Sequence, residues 1–545
     1  MKRWNGWGDD KNNFGFELTK TSQNYIENIL GKSSPLPEIT LDEAIAKVPT
    51  SRSPQHKLIN TDAEVRLRHC RGQSIPDWIA THSGDFGTFP DGVAFPKTTA
   101  DVQALLQFAK QENLIIIPYG GGTSVCGHIN PDANDRPIIT VALSEMNKLI
   151  AFDKQSQIAT FGAGTLGPDV EKQLGEYGYT LGHFPQSWEL STIGGWVASR
   201  SSGQQSLRYG RIEKMFAGGT IATLQGTLDI PTFPASSAGP DIREMILGSE
   251  GRMGIITEVK VRVMKIAEQE NFYVAFFPNW QVGIAATRDI AQAGVQLSMM
   301  RLSNEVETAS HLKLAGHDTA VNYLEKYLHL RGISHDECKT MFTFGITGSK
   351  AQCKSALKIT KQFISKHKGV YIGTALGKHW QHSRFRSPYL RQGFWDAGII
   401  VDTMETCLDW SAVPDAVKTM ESDIADALCS ENKCSETQTT NVGDEKIHVF
   451  THLSHFYGQG CSVYTTFLFR MDKDYDKTLQ RWQKLKAAGA KAIVKHGGTI
   501  SHQHGVGKDH APYLAAEKGE LGIKAIKGLC QVFDPEQRMN PGKLV

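Results

Sequence analysis

Pro118-Tyr119-Gly120-Gly121-Gly122-Thr123-Ser124-Val125 is the stretch that decides how this chain reads. It follows Leu114-Ile115-Ile116-Ile117, an apolar run without polar alternation, which predicts a strand covered on both faces. Three consecutive glycines open backbone conformations closed to other residues and let successive N–H groups converge on one anion, while Thr123 and Ser124 add hydroxyl donors. We read it as a pyrophosphate cradle. Taken alone, a Gly-rich hairpin turn would also fit.

Outward from this loop, the texture supports the same reading. Thr98 and Asp101 stand at capping-box spacing, and Val102, Leu105, Leu106 and Ala109 repeat at helical spacing behind them. Further strands are expected at 137–143, 149–152, 158–161 and 254–264. Gly162-Ala-Gly164-Thr-Leu-Gly167 fits a nicotinamide-cofactor fingerprint, but Pro168 lacks an N–H and the Asp169 carboxylate would repel a phosphate there, so we reject it. Two other segments carry hydroxyls and glycines beside apolar runs. One is Gln186-Ser187-Trp188-Glu189-Leu190-Ser191-Thr192-Ile193-Gly194-Gly195-Trp196, followed by Ser199, Ser201 and Ser202; the other is Ser249-Glu250-Gly251-Arg252-Met253-Gly254-Ile255-Ile256-Thr257. Both suit polar contacts to a ribityl chain or phosphates and close approach to a flat ring.

The whole chain has 545 residues, which predicts two or more lobes. Residues 1–85 look like a polar, loop-like wrapping arm with short helical stretches at 25–30 and 41–46; 86–266 form the β-rich lobe. Residues 267–495 alternate amphipathic helices with strands near 272–276, 340–346 and 463–469, the pattern of an α+β lobe on an antiparallel sheet. Residues 496–545 return to Gly-rich loops and one helix carrying Leu521, Ile523, Ile526, Leu529 and Val532. A net charge of +2 gives no field for nucleic acid, and 40% hydrophobic with 21% charged residues excludes disorder. Nine cysteines without a CxxC pair are read as thiols in a reducing compartment. No secretory, membrane-spanning or C-terminal peroxisomal signal is read, so a cytoplasmic protein is expected.

The three loops, preceded by Pro96-Lys97-Thr98-Thr99, resemble the flavin-binding lobe of the vanillyl-alcohol oxidase (PCMH-type FAD-binding) superfamily over residues 86–265. Nearly the full length is similar to the alkyldihydroxyacetonephosphate synthase family, the flavoenzymes of ether-lipid synthesis. Trp4-Asn5-Gly6-Trp7-Gly8, Gly194-Gly195-Trp196-Val197, Gly239-Pro240-Asp241-Ile242, Gly248-Ser249-Glu250-Gly251, Met300-Arg301-Leu302, Tyr389-Leu390-Arg391, Glu405-Thr406 with Trp410, and Ser501 to Lys508 carry the likeness. The resemblance implies an α+β fold: a two-lobed PCMH-type FAD-binding domain, an antiparallel-sheet substrate (cap) domain and a C-terminal helical return. FAD would sit between the β-rich lobe and the C-terminal return, held by Pro118, Tyr119, Gly120, Gly121, Gly122, Thr123, Ser124, Gln186, Ser187, Ser191, Thr192, Gly195, Ser199, Ser201, Ser202, Glu250, Gly251, Gly254, Ile255 and Ile256. The loop itself offers Thr123 and Ser124, with Cys126 and His128 just beyond, so noncovalent FAD is expected.

His502 and His504 flank Gln503, so an extended segment would turn both imidazoles to one side, as a metal pair, a proton-transfer pair or two structural histidines. Two ligands fall short of a zinc site, and no metal is expected. The family carries three histidines in that run, and Gln503 departs from it. The resemblance assigns catalysis to Tyr464, His502, His504 and Arg391, and substrate binding to Arg391, Arg301 and Lys508; on its own Tyr464 reads as a half-buried strand residue, and Arg and Lys as surface charges. Around His379-Trp380-Gln381-His382 the chain departs from the animal pattern. The implied activity exchanges the acyl chain of acyl-dihydroxyacetone phosphate for a fatty alcohol through a flavin N5 adduct. The alternative, suggested by Asp534-Pro535 and Asn540-Pro541-Gly542-Lys543, is an FAD-dependent 2-hydroxy acid (D-lactate or glycolate type) dehydrogenase or oxidase. The expected partner is a small phosphate or carboxylate, lipid-derived; no nucleic acid is expected, and peripheral membrane contact and a homodimer are both compatible.

Overall fold

The computed structural model describes residues 2–10, 18–314, 318–333, 338–429 and 445–545. Thr98 opens the helix Thr99–Gln111 with a complete capping box, and Val102, Leu105, Leu106 and Ala109 bury its apolar face. The chain then enters the strand Ile115–Tyr119, whose Ile115, Ile116 and Ile117 are all buried. That strand runs parallel to Ile138–Ala142 and Ile138–Ala142 parallel to Gly92–Ala94, with Ile59–Asn60 added antiparallel at the edge. A second, antiparallel sheet follows, in the order Leu149–Asp153, Ile158–Gly162, Ile255–Arg262, Phe216–Thr223, Gly226–Ile230. Its last two strands had no separate signature: Phe216–Thr223 contains Gly218 and Gly219, which weaken a strand pattern, and Gly219 is tolerated because its missing Cβ leaves room for Glu258 O.

The third sheet is antiparallel throughout, with seven strands in the order Val370–Gly373, Gln269–Phe277, Thr340–Gly348, Met299–Ser303, His448–Phe456, Gly460–Arg470, Ile399–Asp409. Mixed helices and sheets of this kind make the chain α+β.

The first segment departs from the loop-like expectation. Besides Lys20–Leu30 and Leu41–Ala46, it forms Ala63–Arg68 and Ile75–Ser83. Ser74 and Asp77 cap the latter reciprocally, Pro76 suits its first turn, and Ile75, Trp78 and Ile79 bury themselves against the large sheet's core. At the other end, Arg538 to Asn540 return to the first sheet: Ile116 N–H donates to Arg538 O at 2.8 Å and Asn540 N–H to Ile116 O at 2.8 Å. The helix Leu514–Phe533 precedes that return, but its apolar stripe is not wholly covered, since Leu521 and Val532 are 80% and 66% exposed. The eight described cysteines form no disulfide, and Cys434 lies outside the described residues.

Candidate active site

One cavity of about 770 Å³ lies where the three sheets meet. Its floor is the loop from Pro118 to Cys126, and loops at 185–201 and 249–256 form the walls. Gly121 is obligatory there: a Cβ would fall 1.6 Å from Leu190 O. Among the described residues, the N–H groups of Gly120, Gly121, Gly122, Thr123 and Ser124 donate to no protein acceptor. Adjacent cavity-lining amides without partners are what an anion would need there. The rejected fingerprint at Gly162, Gly164 and Gly167 is packed solid, against Met146, Leu143 and Trp188.

The expected cofactor residues are placed unevenly. Pro118 to Ser124, Gln186, Ser187, Ser191, Thr192, Gly195, Ser199, Ser201, Glu250, Gly251, Gly254 and Ile256 line the cavity. Ile255 does not; it alternates onto the opposite face of its strand and is fully buried in the core of the β-rich lobe. Ser202 also turns away, its Oγ lying 3.1 Å from His455 Nδ1. Glu250 presents little of its carboxylate to the cavity, because it accepts the N–H groups of Val506 at 2.5 Å and Gly507 at 2.8 Å and faces His128 at 3.2 Å. It is a clasp for the C-terminal loop.

Opposite the glycine loop stand Arg391, Tyr464, Lys486, His504 and Arg301. Arg391 lies over the Trp78 ring at 5.5 Å and faces Asp402 at 3.8 Å. Tyr464, in the middle of Gly460–Arg470, stacks on His452 with centroids 4.7 Å apart. Burial pushes its phenol up to about 12, so the group is held protonated, a donor. His504 lies 6.1 Å from the Tyr464 ring, and burial pushes its imidazole pKa down, keeping it neutral. Arg301 is already engaged: its Nη2 donates to the buried Glu307 at 2.7 Å, while its buried Nε has no partner.

Two expectations fail on geometry. Lys508 is outside the cavity and pairs with Asp132, as does Lys543, so it fastens the C-terminal segment. His502 and His504 do not share a face, because residues 502–504 bend instead of running extended. His502 instead lines a second cavity of about 480 Å³. Its Nε2 lies 2.6 Å from Arg211 Nη1 and 2.8 Å from Tyr457 Oη, and its Nδ1 lies 2.9 Å from Glu405 Oε1. A guanidinium can only donate, so Nε2 accepts and Nδ1–H donates to Glu405. Glu405, His455 and His502 are grouped closely enough to hold a metal ion. The Arg211 charge beside them opposes a divalent cation, and we assign none.

The comparisons agree with this architecture. Residues 90–229 match the family "FAD binding domain", and residues 266–544 match "FAD linked oxidases, C-terminal domain". Alkyldihydroxyacetonephosphate synthase of Dictyostelium discoideum is 31% identical over 494 residues, covering 89% of this chain and 78% of its relative. The Trypanosoma brucei brucei enzyme of the same name is 27% identical, covering 100% and 92%. A solved alkyldihydroxyacetonephosphate synthase superposes with a TM-score of 0.83 at 26% identity, covering 100% of this chain and 99% of that one.

This chain belongs to the alkyldihydroxyacetonephosphate synthase family. FAD is its cofactor, within the vanillyl-alcohol oxidase superfamily. More distant relatives include the mitochondrial D-lactate dehydrogenase [cytochrome] of Arabidopsis thaliana, 25% identical over 84% of this chain and 73% of its own length. Seen as a member of the synthase family, the chain carries one site cation that sequence reasoning missed. Lys486 Nζ, on the helix Tyr475–Lys495, donates to Thr403 O at 2.7 Å and lies 3.2 Å from Asp402. No signal marks it among the other lysines of an amphipathic helix. His455 was equally silent, and Glu405, though part of the family likeness, gave no sign of its tie to His502, from which it is far in sequence. Among the described residues no helix is long and apolar enough to cross a membrane.

Proposed function

We propose that the protein exchanges the acyl chain of an acyl-dihydroxyacetone phosphate for a fatty alcohol, forming the alkyl product for which its synthase relatives are named. The observation that carries this reading is the shape and chemistry of one continuous cavity. It joins the unpartnered amides of the glycine loop to the Arg391–Lys486–Tyr464–His504 group, then runs on between Ile26, Val274, Leu312, Met341, Phe394 and Phe450. An anionic head with a long chain needs both ends, whereas a small 2-hydroxy acid has no use for the apolar one.

FAD would be held noncovalently by the glycine loop and the 185–201 and 249–256 walls, and would supply an electron-accepting ring. Arg391 offers the phosphate a planar fork and Lys486 a second positive charge, both partly balanced by Asp402. Neutral His504 takes the proton from the carbon that bears the ester, and the Tyr464 hydroxyl donates to the departing carboxylate. His502, fixed by Glu405 and Arg211, acts from behind the Gln503–His504 turn. The carbon–oxygen bond to the fatty acid breaks and one to the alcohol oxygen forms; the alcohol proton restores the Tyr464 hydroxyl and His504 returns its proton to the carbon, so there is no net oxidation. The segment 375–387 borders the cavity through His379, Trp380 and Arg384 and selects the chain accepted.

The test is an anaerobic titration of the purified yellow protein with acyl-dihydroxyacetone phosphate and labelled hexadecanol, then with D-lactate and glycolate. Labelled ether product without flavin bleaching is expected. Bleaching by a hydroxy acid with no ether product would replace this reading with the dehydrogenase one.

A further inference from the structure

We propose that Lys2 belongs to the cofactor-holding machinery: from behind the glycine loop, its ammonium pins and polarises the two peptide units that offer Gly122 and Thr123 N–H to the FAD diphosphate. The inference rests on the FAD assignment above and adds a residue outside the matched flavin-binding region, which begins at residue 90.

Lys2 Nζ donates to Gly121 O at 2.9 Å, to Gly122 O at 3.1 Å and to Tyr119 Oη at 3.1 Å. All three ammonium hydrogens are thus spent on the loop. Gly121 C=O and Gly122 N–H are the two ends of one peptide unit, and Gly122 C=O and Thr123 N–H are the ends of the next. A cation on a peptide oxygen draws charge from the opposite N–H and strengthens it as a donor. Those N–H groups have no protein acceptor among the described residues, and Gly122 and Thr123 line the cavity while Lys2 does not. The lysine therefore grips the back of the cradle and leaves its front open.

The fit is specific. Gly122 has φ +66°, and a Cβ there would lie 2.2 Å from Lys2 Nζ and 2.0 Å from Tyr119 Oη. With the lysine in this place there is no room for a side chain at 122, in addition to the backbone angle. The Tyr119 ring lies 5.5 Å from the ammonium. Lys2 itself is held in place: its carbonyl accepts Arg68 Nη1 at 2.6 Å, its backbone bridges to Asp9, and Trp7 between them is buried. The ordering cost of a long side chain is thereby met before any cofactor arrives.

Lys2 touches the loop and not the cofactor, so it is a positioning residue, and the test must separate diphosphate recognition from general folding. Apoproteins of the full chain, wild type, Lys2→Met and Lys2→Arg, are titrated with FAD and with riboflavin, which lacks the diphosphate, by flavin fluorescence. Lys2→Met should weaken FAD binding roughly tenfold and Lys2→Arg by less than about threefold, with riboflavin affinity the same in all three. Equal FAD affinity in Lys2→Met and wild type would overturn the proposal, as would equal losses for FAD and riboflavin. Should Lys2→Met fail to fold, Lys2→Gln, which keeps a donor without the charge, is read by the same comparison. A wild-type apoprotein that takes up neither flavin would sink the FAD assignment, and this inference with it.

Discussion

The Arg391 guanidinium donates from Nη1 to the Gln73 carbonyl oxygen at 2.5 Å, and the Gln73 N–H donates in turn to Ser124 O at 2.6 Å. The residue assigned to the substrate phosphate is thus one backbone residue away from the loop assigned to the cofactor diphosphate. Burial lowers the Arg391 pKa, opposed by Asp402, yet leaves it a cation, and its fork has one edge committed to protein.

Arg391→Lys should therefore hurt substrate more than cofactor. A lysine cannot hold Gln73 O and an anion together or lie flat over Trp78, so KM for the phosphate substrate should rise roughly 10–100-fold. The Gln73–Ser124 bond is between backbone groups and survives the change. The flavin-to-protein absorbance ratio should stay at the wild-type value, and its loss would show that Arg391 mainly braces the loop.

Tyr464→Phe removes one oxygen from a side chain buried among Arg301, His452 and His504. With its phenol held protonated, the hydroxyl serves as a donor, and kcat should fall at least about 10²-fold while FAD stays bound. Stopped-flow turnover beside a flavin spectrum checks both, and undiminished turnover would remove Tyr464 from the reaction.

How much of this was readable beforehand follows from what each feature needs. A diphosphate cradle needs contiguous glycines behind a strand, a local pattern, and residues 118–125 display it. The Tyr464 strand shows its alternation in the same way. Partners joined by tertiary packing have no local pattern: Glu405 and His455 reach His502 only because three distant segments converge. Lys486 and Lys508 illustrate the cost. Both are lysines in polar surroundings, and only the fold turns one toward the cavity and the other toward Asp132. The shared face expected for His502 and His504 presumed an extended backbone, and residues 502–504 form a bend instead.

Gly121→Ala and Gly528→Ala make a contrasting pair. At Gly121 an added methyl would overlap Leu190 O, so the loop must move and the protein should purify without FAD. At Gly528, within the helix Leu514–Phe533, a Cβ meets nothing within 4 Å, and alanine should stabilise by about 0.5–1 kcal/mol. Flavin content and Tm read the two outcomes. A fully yellow Gly121→Ala protein would mean that the loop tolerates displacement.

Glu421 supplies a pH test away from the reacting groups. Burial pushes its carboxyl up to about 7, with the neighbouring Glu305 and Glu307 adding to the rise, while it accepts Asn304 Nδ2 at 2.8 Å. A folded pKa above the unfolded one means that the native state keeps a proton the unfolded chain has released. This contribution is fully present below about pH 4.5 and is lost as pH rises through about 7. Glu421→Gln keeps the shape and an acceptor oxygen for Asn304 but cannot ionise. Its Tm should match wild type at pH 5 and exceed it by roughly 2–4 °C at pH 8. The same Tm difference at both pH values would show that Glu421 does not titrate in this window and that the variant acts through packing alone.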